Sequence, residues 1–282
     1  MPRSSPRSNC SPKKTLQVKR VDLTLAVPGI PGPNIIGGSG GSGTRVVARI
    51  VRHGGMFIGT NLNDSEDALD FADYLDHWIN VFLASRNSSL APSRETAMIQ
   101  DLQQVLQKHL APLHPTARAW GWKEPRSIFL LPFLHSQFPQ LKFLHIVRDG
   151  RDMAYSTNQN QLRKHGNWLL DRTELRASVP MRSMALWSRL NLFTADYGET
   201  NLPTQYLRLR FEDLCHQPDQ VITQIFAFFG LAGQVEHIVQ QLEIAPPASL
   251  GHWRTQERRI LAELYRVGDM ALDRFGYHET LE

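Results

Sequence analysis

NIIGGSGGSGTRVVARIVRH, Asn34 to His53, decides the reading of this chain. Asn34 to Gly37 has strand character, the glycine run is a turn, and Thr44 to Arg52 reads as a helix whose N-terminus meets the loop. In that arrangement inward-turned backbone N–H groups and the helix dipole make an anion site. Gly38, Ser39, Gly40, Gly41, Ser42 and Gly43 fit G-x-x-x-x-G, yet Thr44 stands where a nucleotide triphosphatase loop carries lysine. Nothing at that position reaches an outer phosphate, which argues against ordinary ATP or GTP chemistry. Arg45, one residue into the helix, is the cation that can substitute. The plainer alternative, a flexible glycine linker, does not explain the flanking strand and helix patterns.

Upstream, VPGIPGP (Val27 to Pro33) is an extended linker that delivers the chain to this first strand. Downstream, Leu69, Ala72, Leu75, Trp78, Ile79 and Phe82 recur at helical spacing, as do Met98, Ile99, Leu102, Val105 and Leu106. A helical insertion is therefore expected at about 67–110, with core packing as its ordinary job. AWGWK ending at Lys123, LKFLHIV from Leu141 to Val147 and QYLRLR ending at Arg210 look like buried strands, each followed by helical pattern. Alternating strands and helices predict an α/β fold, a single P-loop-like domain over 34–282 with a central parallel sheet flanked by helices. Ligands of such sheets sit at the carboxyl ends of strands, where Gly37, Lys123, Arg148 and Arg210 fall.

Composition narrows the function classes. The chain has 282 residues, 41% hydrophobic and 21% charged, with no apolar run long enough for a membrane span. The net charge of +4 comes from the first twenty residues, where Arg3, Arg7, Lys13, Lys14, Lys19 and Arg20 meet no acid. The rest is slightly acidic, so nucleic acid is not an expected partner. Residues 1–33 read as a basic, Pro/Ser-rich leader and linker without the apolar region of a secretory signal; an unstructured leader is favoured over a transit peptide. Cys10 and Cys215 give neither a disulfide framework nor metal-ligand spacing, so a reducing, cytoplasmic setting and no metal are expected.

FLHIVRDGRDMAYS, Phe143 to Ser156, carries the second constellation. Arg148 ends a strand, and Ser156 lies eight residues on, read as part of the next helix. A guanidinium and a hydroxyl so placed can grip one phosphate from two sides. Taken alone, the motif equally suits an ion pair between Arg148 and Asp152 at the surface.

Together these segments resemble the sulfotransferases that use 3′-phosphoadenylyl sulfate (PAPS). The resemblance rests on the glycine loop after the first strand, Lys123-Glu124-Pro125, VRDGRD with its serine, and LRFEDL, and runs from Asn34 to about Tyr277. Gly43-Thr44-Arg45 is similar to the 5′-phosphosulfate loop of the heparan sulfate branch. Lys123-Glu124-Pro125 and LHSQFPQLKFLHIVRDGRD resemble the tyrosylprotein and bacterial branches. The resemblance implies that Gly38, Gly40, Gly41, Ser42, Gly43, Thr44 and Arg45 hold the phosphosulfate, that Arg148 and Ser156 hold the 3′-phosphate, and that Arg210 belongs to the cofactor site. SLGHWR, Ser249 to Arg254, is similar to a late cofactor loop, with Trp253 over the adenine and Arg254 on its phosphate; a buried structural tryptophan is the alternative. Two positions depart from the family pattern. Gly41 replaces a loop cation, and Phe211 replaces the tyrosine before Glu-Asp-Leu.

Moving a sulfonate from a phosphosulfate to a hydroxyl is an in-line displacement that needs a cation at the leaving oxygen and a base at the acceptor. By resemblance the cation is Lys123, with Arg45 as its partner, and the base is Glu66 or Asp67 in NDSED, Asn63 to Asp67. Those acids also suit capping of the helix that follows. His53 reads as structural, and His165 belongs either near the acceptor or to a solvated loop. The acceptor hydroxyl belongs to a small molecule, a saccharide or a peptide, walled by Asp67 to Leu110 and Asn158 to Pro180. The alternatives are a P-loop kinase or nucleotide-binding protein acting on a small molecule, and a nucleotide-binding module without catalysis.

Overall fold

The computed structural model describes residues 29–278 apart from 87 and 89; the basic leader and Cys10 lie outside the described residues. In chain order the elements are β1 (Asn34–Gly38), α1 (Thr44–His53), β2 (Met56–Phe57), α2 (Ala72–Ala84), α3 (Pro92–Leu110), β3 (Ala119–Lys123), α4 (Leu131–Gln137), β4 (Lys142–Val147), α5 (Gly150–Ala154), α6 (Asn160–Leu169), α7 (Val179–Asn201), β5 (Tyr206–Arg210), α8 (Phe211–His216), α9 (Pro218–Phe229), α10 (Val235–Leu242) and α11 (Arg258–Arg274). The five strands form one parallel sheet in the order β2-β3-β1-β4-β5. β2 has no counterpart in the sequence reading, because two residues are too short to show a period.

Strand periodicity explains the layers. Successive side chains point to opposite faces, so Ile35, Trp120, Trp122 and Phe143 enter one core with α2 and α3, while Ile36, Ala119, Leu144 and Ile146 enter another with α1, α9 and α10. Each fully buried Ile, Leu or Phe contributes roughly 1.5–3 kcal/mol. A third cluster packs α5, α7 and α11 around Met153, Trp187 and Leu264.

Because all five strands are parallel, their carboxyl ends share one edge. Ile36 pairs with Lys123 and Gly38 with Ile146, which brings the glycine loop between Lys123 and Arg148. No helix among the described residues is long and apolar enough to cross a membrane.

Candidate functional site

The loop after β1 is built on two left-handed glycines, Gly41 at φ 95° and Gly43 at φ 96°. A Cβ on Gly43 would lie 2.1 Å from Phe211 Cδ2, so the ring of Phe211 packs directly on loop backbone. A Cβ on Gly41 would meet Met153 Cε and Ser156 Oγ, both at 3.3 Å. That position is strained for any side chain, which accounts for a loop without its cation. Gly43 supplies no side-chain cap to α1, so the helix N-terminus presents uncapped amides. Ser42 Oγ is buried without a partner among the described residues, and Arg45 is exposed.

A buried polar chain holds the loop from beneath. Asn191 Nδ2 donates to Ser39 Oγ at 3.1 Å and to Trp187 O at 2.7 Å, so its Oδ1 faces His145 Nε2 at 2.8 Å. His145 therefore carries its proton on Nε2 and accepts the Tyr206 hydroxyl on Nδ1 at 2.7 Å. Burial holds His145 at a pKa of about 4. Gln161 Nε2 adds a bond to the Gly38 carbonyl at 3.1 Å. No local pattern marks Asn191 or His145 for this task, since their partners are distant in the chain.

Lys123 ends β3 with its side chain only 1% exposed. Its ammonium donates to the Ser65 carbonyl at 2.7 Å and pairs with the Asp67 carboxylate. Burial lowers its pKa, with Asp67 pulling the other way. Glu66 sits at φ 63° and turns to the α1 arginines, Arg52 at 2.6 Å and Arg49 at 3.5 Å. The short helix that leads into α2 is capped by Ala68 without a side-chain bond, so neither Glu66 nor Asp67 serves as its N-cap. Glu124 is buried with a raised pKa and binds Arg126 Nε at 3.1 Å.

Arg148 is buried rather than part of a surface pair. Its Nη2 reaches Asp152 Oδ2 at 3.2 Å, Ser249 O at 2.6 Å and Ser249 Oγ at 3.1 Å, while its Nε has no partner among the described residues. The guanidinium lies 5.4 Å from the centroid of Phe211, the same ring that packs on Gly43. Ser156 follows the end of α5 instead of lying inside a helix, and its Oγ accepts the Asn158 N–H at 3.1 Å. Arg210 lies against Tyr277, 4.5 Å from the ring centroid. Trp253 is buried, with the guanidinium of Arg151 at 3.7 Å and that of Arg254 at 4.7 Å from its ring centroid. It lines a cavity of about 730 Å³ with Arg210 and Tyr277. His165 is buried in α6 against Phe129, bonded to Asn80 Oδ1 at 2.8 Å, with a pKa depressed by burial to about 4.

A model of the sulfotransferase family matches residues 35–235, from β1 to the first residue of α10. The chain belongs to the sulfotransferase family. This sulfotransferase-family chain is 28% identical over 162 residues to the omega-hydroxy-beta-dihydromenaquinone-9 sulfotransferases of Mycobacterium bovis and Mycobacterium tuberculosis. The matched stretch covers 55% of this chain and 40% of each of those proteins. Its fold is similar to the sulfotransferase domain from the Synechococcus PCC 7002 olefin synthase, with TM-score 0.52 and 19% identity over 95% of this chain and 100% of that one. It is also similar to a sulfotransferase from Mycobacterium avium, with TM-score 0.50 and 15% identity over 87% and 77% of the two chains.

Proposed function

We propose that residues 34–282 act as one sulfotransferase domain that transfers the sulfonate group of PAPS to an acceptor hydroxyl. The observation that carries this is the Lys123–Asp67 pair at the carboxyl end of β3, one strand from the glycine loop that follows β1. A cation and a carboxylate so joined match the two tasks of the reaction, one at the leaving oxygen and one at the acceptor proton.

The residues fit an anionic donor with phosphates at two ends. Ser42 Oγ and Arg148 Nε are buried donors without partners among the described residues, which is costly without an acceptor. The amides at the uncapped N-terminus of α1 would hold the phosphosulfate, with Arg45 at its outer side, while the Ser42 N–H is spent on the Ser39 carbonyl at 3.1 Å. Arg148 and Ser156 would hold the 3′-phosphate. When bound, PAPS supplies the sulfonate and a bisphosphate leaving group.

Lys123 donates a hydrogen bond to the leaving phosphate oxygen as charge builds there. Asp67 takes the proton of the acceptor hydroxyl while the new sulfur–oxygen bond forms and the old one breaks. Glu66, paired with Arg49 and Arg52, shapes this corner without touching the acceptor. Trp253 anchors the late loop, and Arg210 supports it through Tyr277. The acceptor is a hydroxyl-bearing small molecule, as the names of the mycobacterial relatives suggest. A cytoplasmic setting accords with the scarcity of cysteine.

Thermal shift tests the reading. Adenosine 3′,5′-bisphosphate should stabilise the protein, by about 2.7 kcal/mol at a hundredfold excess over Kd, and ATP with Mg²⁺ should not. Stabilisation by Mg-ATP alone would replace this reading with a kinase.

A further inference from the structure

Asp152 has a task that neither the phosphate site nor the displacement explains. Its side chain is 2% exposed, and its two oxygens collect donors from two distant parts of the chain. Oδ2 accepts the Gly251 N–H at 2.8 Å and Arg148 Nη2 at 3.2 Å, while Oδ1 accepts the Trp253 N–H at 3.1 Å. Arg148 Nη2 completes the clasp on the Ser249 carbonyl and hydroxyl. The late loop, Ser249 to Trp253, is thus bound at three points to one carboxylate–guanidinium pair.

We propose that Asp152 is a positioning residue for the 3′-phosphate subsite. It keeps the late loop closed and occupies the Nη2 corner of Arg148, which leaves the buried Nε, without a partner among the described residues, as the donor available to a ligand. A carboxylate suits this work because it only accepts, and all three donors can point at it at once. An asparagine of the same shape turns an NH₂ group toward at least one of those donors and breaks the clasp with almost no change in volume. The inference rests on the PAPS reading of the site and concerns only which residue confers preference for a 3′-phosphate.

Asp152→Asn is the test, read by the affinities of adenosine 3′,5′-bisphosphate and adenosine 5′-monophosphate. The wild type should prefer the bisphosphate. The variant should lose about tenfold or more of that preference, the scale of charge-assisted hydrogen bonds, with the monophosphate affinity falling far less than that of the bisphosphate and the KM for acceptor nearly unchanged. A residue that merely supports the fold would weaken both nucleotides alike, and that outcome, or an intact preference, overturns the proposal. A wild type with no preference would instead overturn the PAPS reading, and this inference with it. Should the variant fail to fold, hydrogen exchange on the wild type still decides. The Gly251 and Trp253 amides should be strongly protected without nucleotide, and exchange at unprotected rates would sink the clasp.

Discussion

Lys123 Nζ and the Asp67 carboxylate form an ion pair at the end of β3, and the Ser65 carbonyl takes a further hydrogen from the same ammonium at 2.7 Å. Two bonds to neighbouring residues of one segment fix the lysine in a nearly water-free position, where a charge acts most strongly on a developing anion. Lys123→Ala should therefore cut kcat by on the order of 10² or more, as loss of a transition-state donor does. Near wild-type turnover in a folded variant would remove Lys123 from the chemistry.

Asp67 and Glu66 are adjacent in sequence and part company in space. Asp67→Asn should lower kcat by roughly 10²-fold or more, within the usual range for general base catalysis. Glu66→Gln should leave kcat within about threefold, since its carboxylate is spent on two half-exposed arginines in pairs of small energetic weight. Steady-state kinetics on the two variants separates them, and the reverse order would exchange their roles.

Restoring a loop cation should not help. Gly41→Lys places a side chain at φ 95° against Met153 and Ser156, with a backbone cost of about 1–2 kcal/mol. Isothermal titration with adenosine 3′,5′-bisphosphate should show weaker binding than wild type. Tighter binding would mean that the loop tolerates what its geometry excludes.

Gly43 and Gly230 offer a matched comparison, because both have positive φ, 96° and 71°. A Cβ at Gly230 meets nothing within 4 Å among the described residues, whereas one at Gly43 would overlap the Phe211 ring. Gly230→Ala should cost only the backbone term of about 1–2 kcal/mol in a urea melt and leave nucleotide binding intact. Gly43→Ala should abolish nucleotide binding. Equal behaviour of the two would contradict the packing of Phe211 on the loop.

The buried histidines set the acid limit. His145 and His165 are each depressed from 6.5 to about 4, so the unfolded chain takes protons that the folded one refuses. Stability is then fully present above pH 6.5 and is lost as pH falls toward 4. Melting temperatures measured across that window should decline, and His145→Gln should flatten the decline. A slope unchanged in the variant would mean that His145 does not titrate as its burial requires.

The sequence alone determined the alternation of the four longer strands with helices and which side chains fall at the strand ends. A glycine run between a strand and a helix, three apolar strands, and Lys123, Arg148 and Arg210 at their last or next positions are local patterns that hydrophobic period and turn chemistry make legible. Tertiary structure decided the rest. Asp67 rather than Glu66 meets Lys123 because a left-handed residue at 66 turns one carboxylate outward. The left-handed backbone at Gly41, φ 95°, disfavours a side chain in the loop, and Asn191, His145 and Asp152 gain their roles from bonds across 46 to 152 residues of chain. Such bonds leave no periodic trace, because the groups meet only after the sheet and its helices have packed.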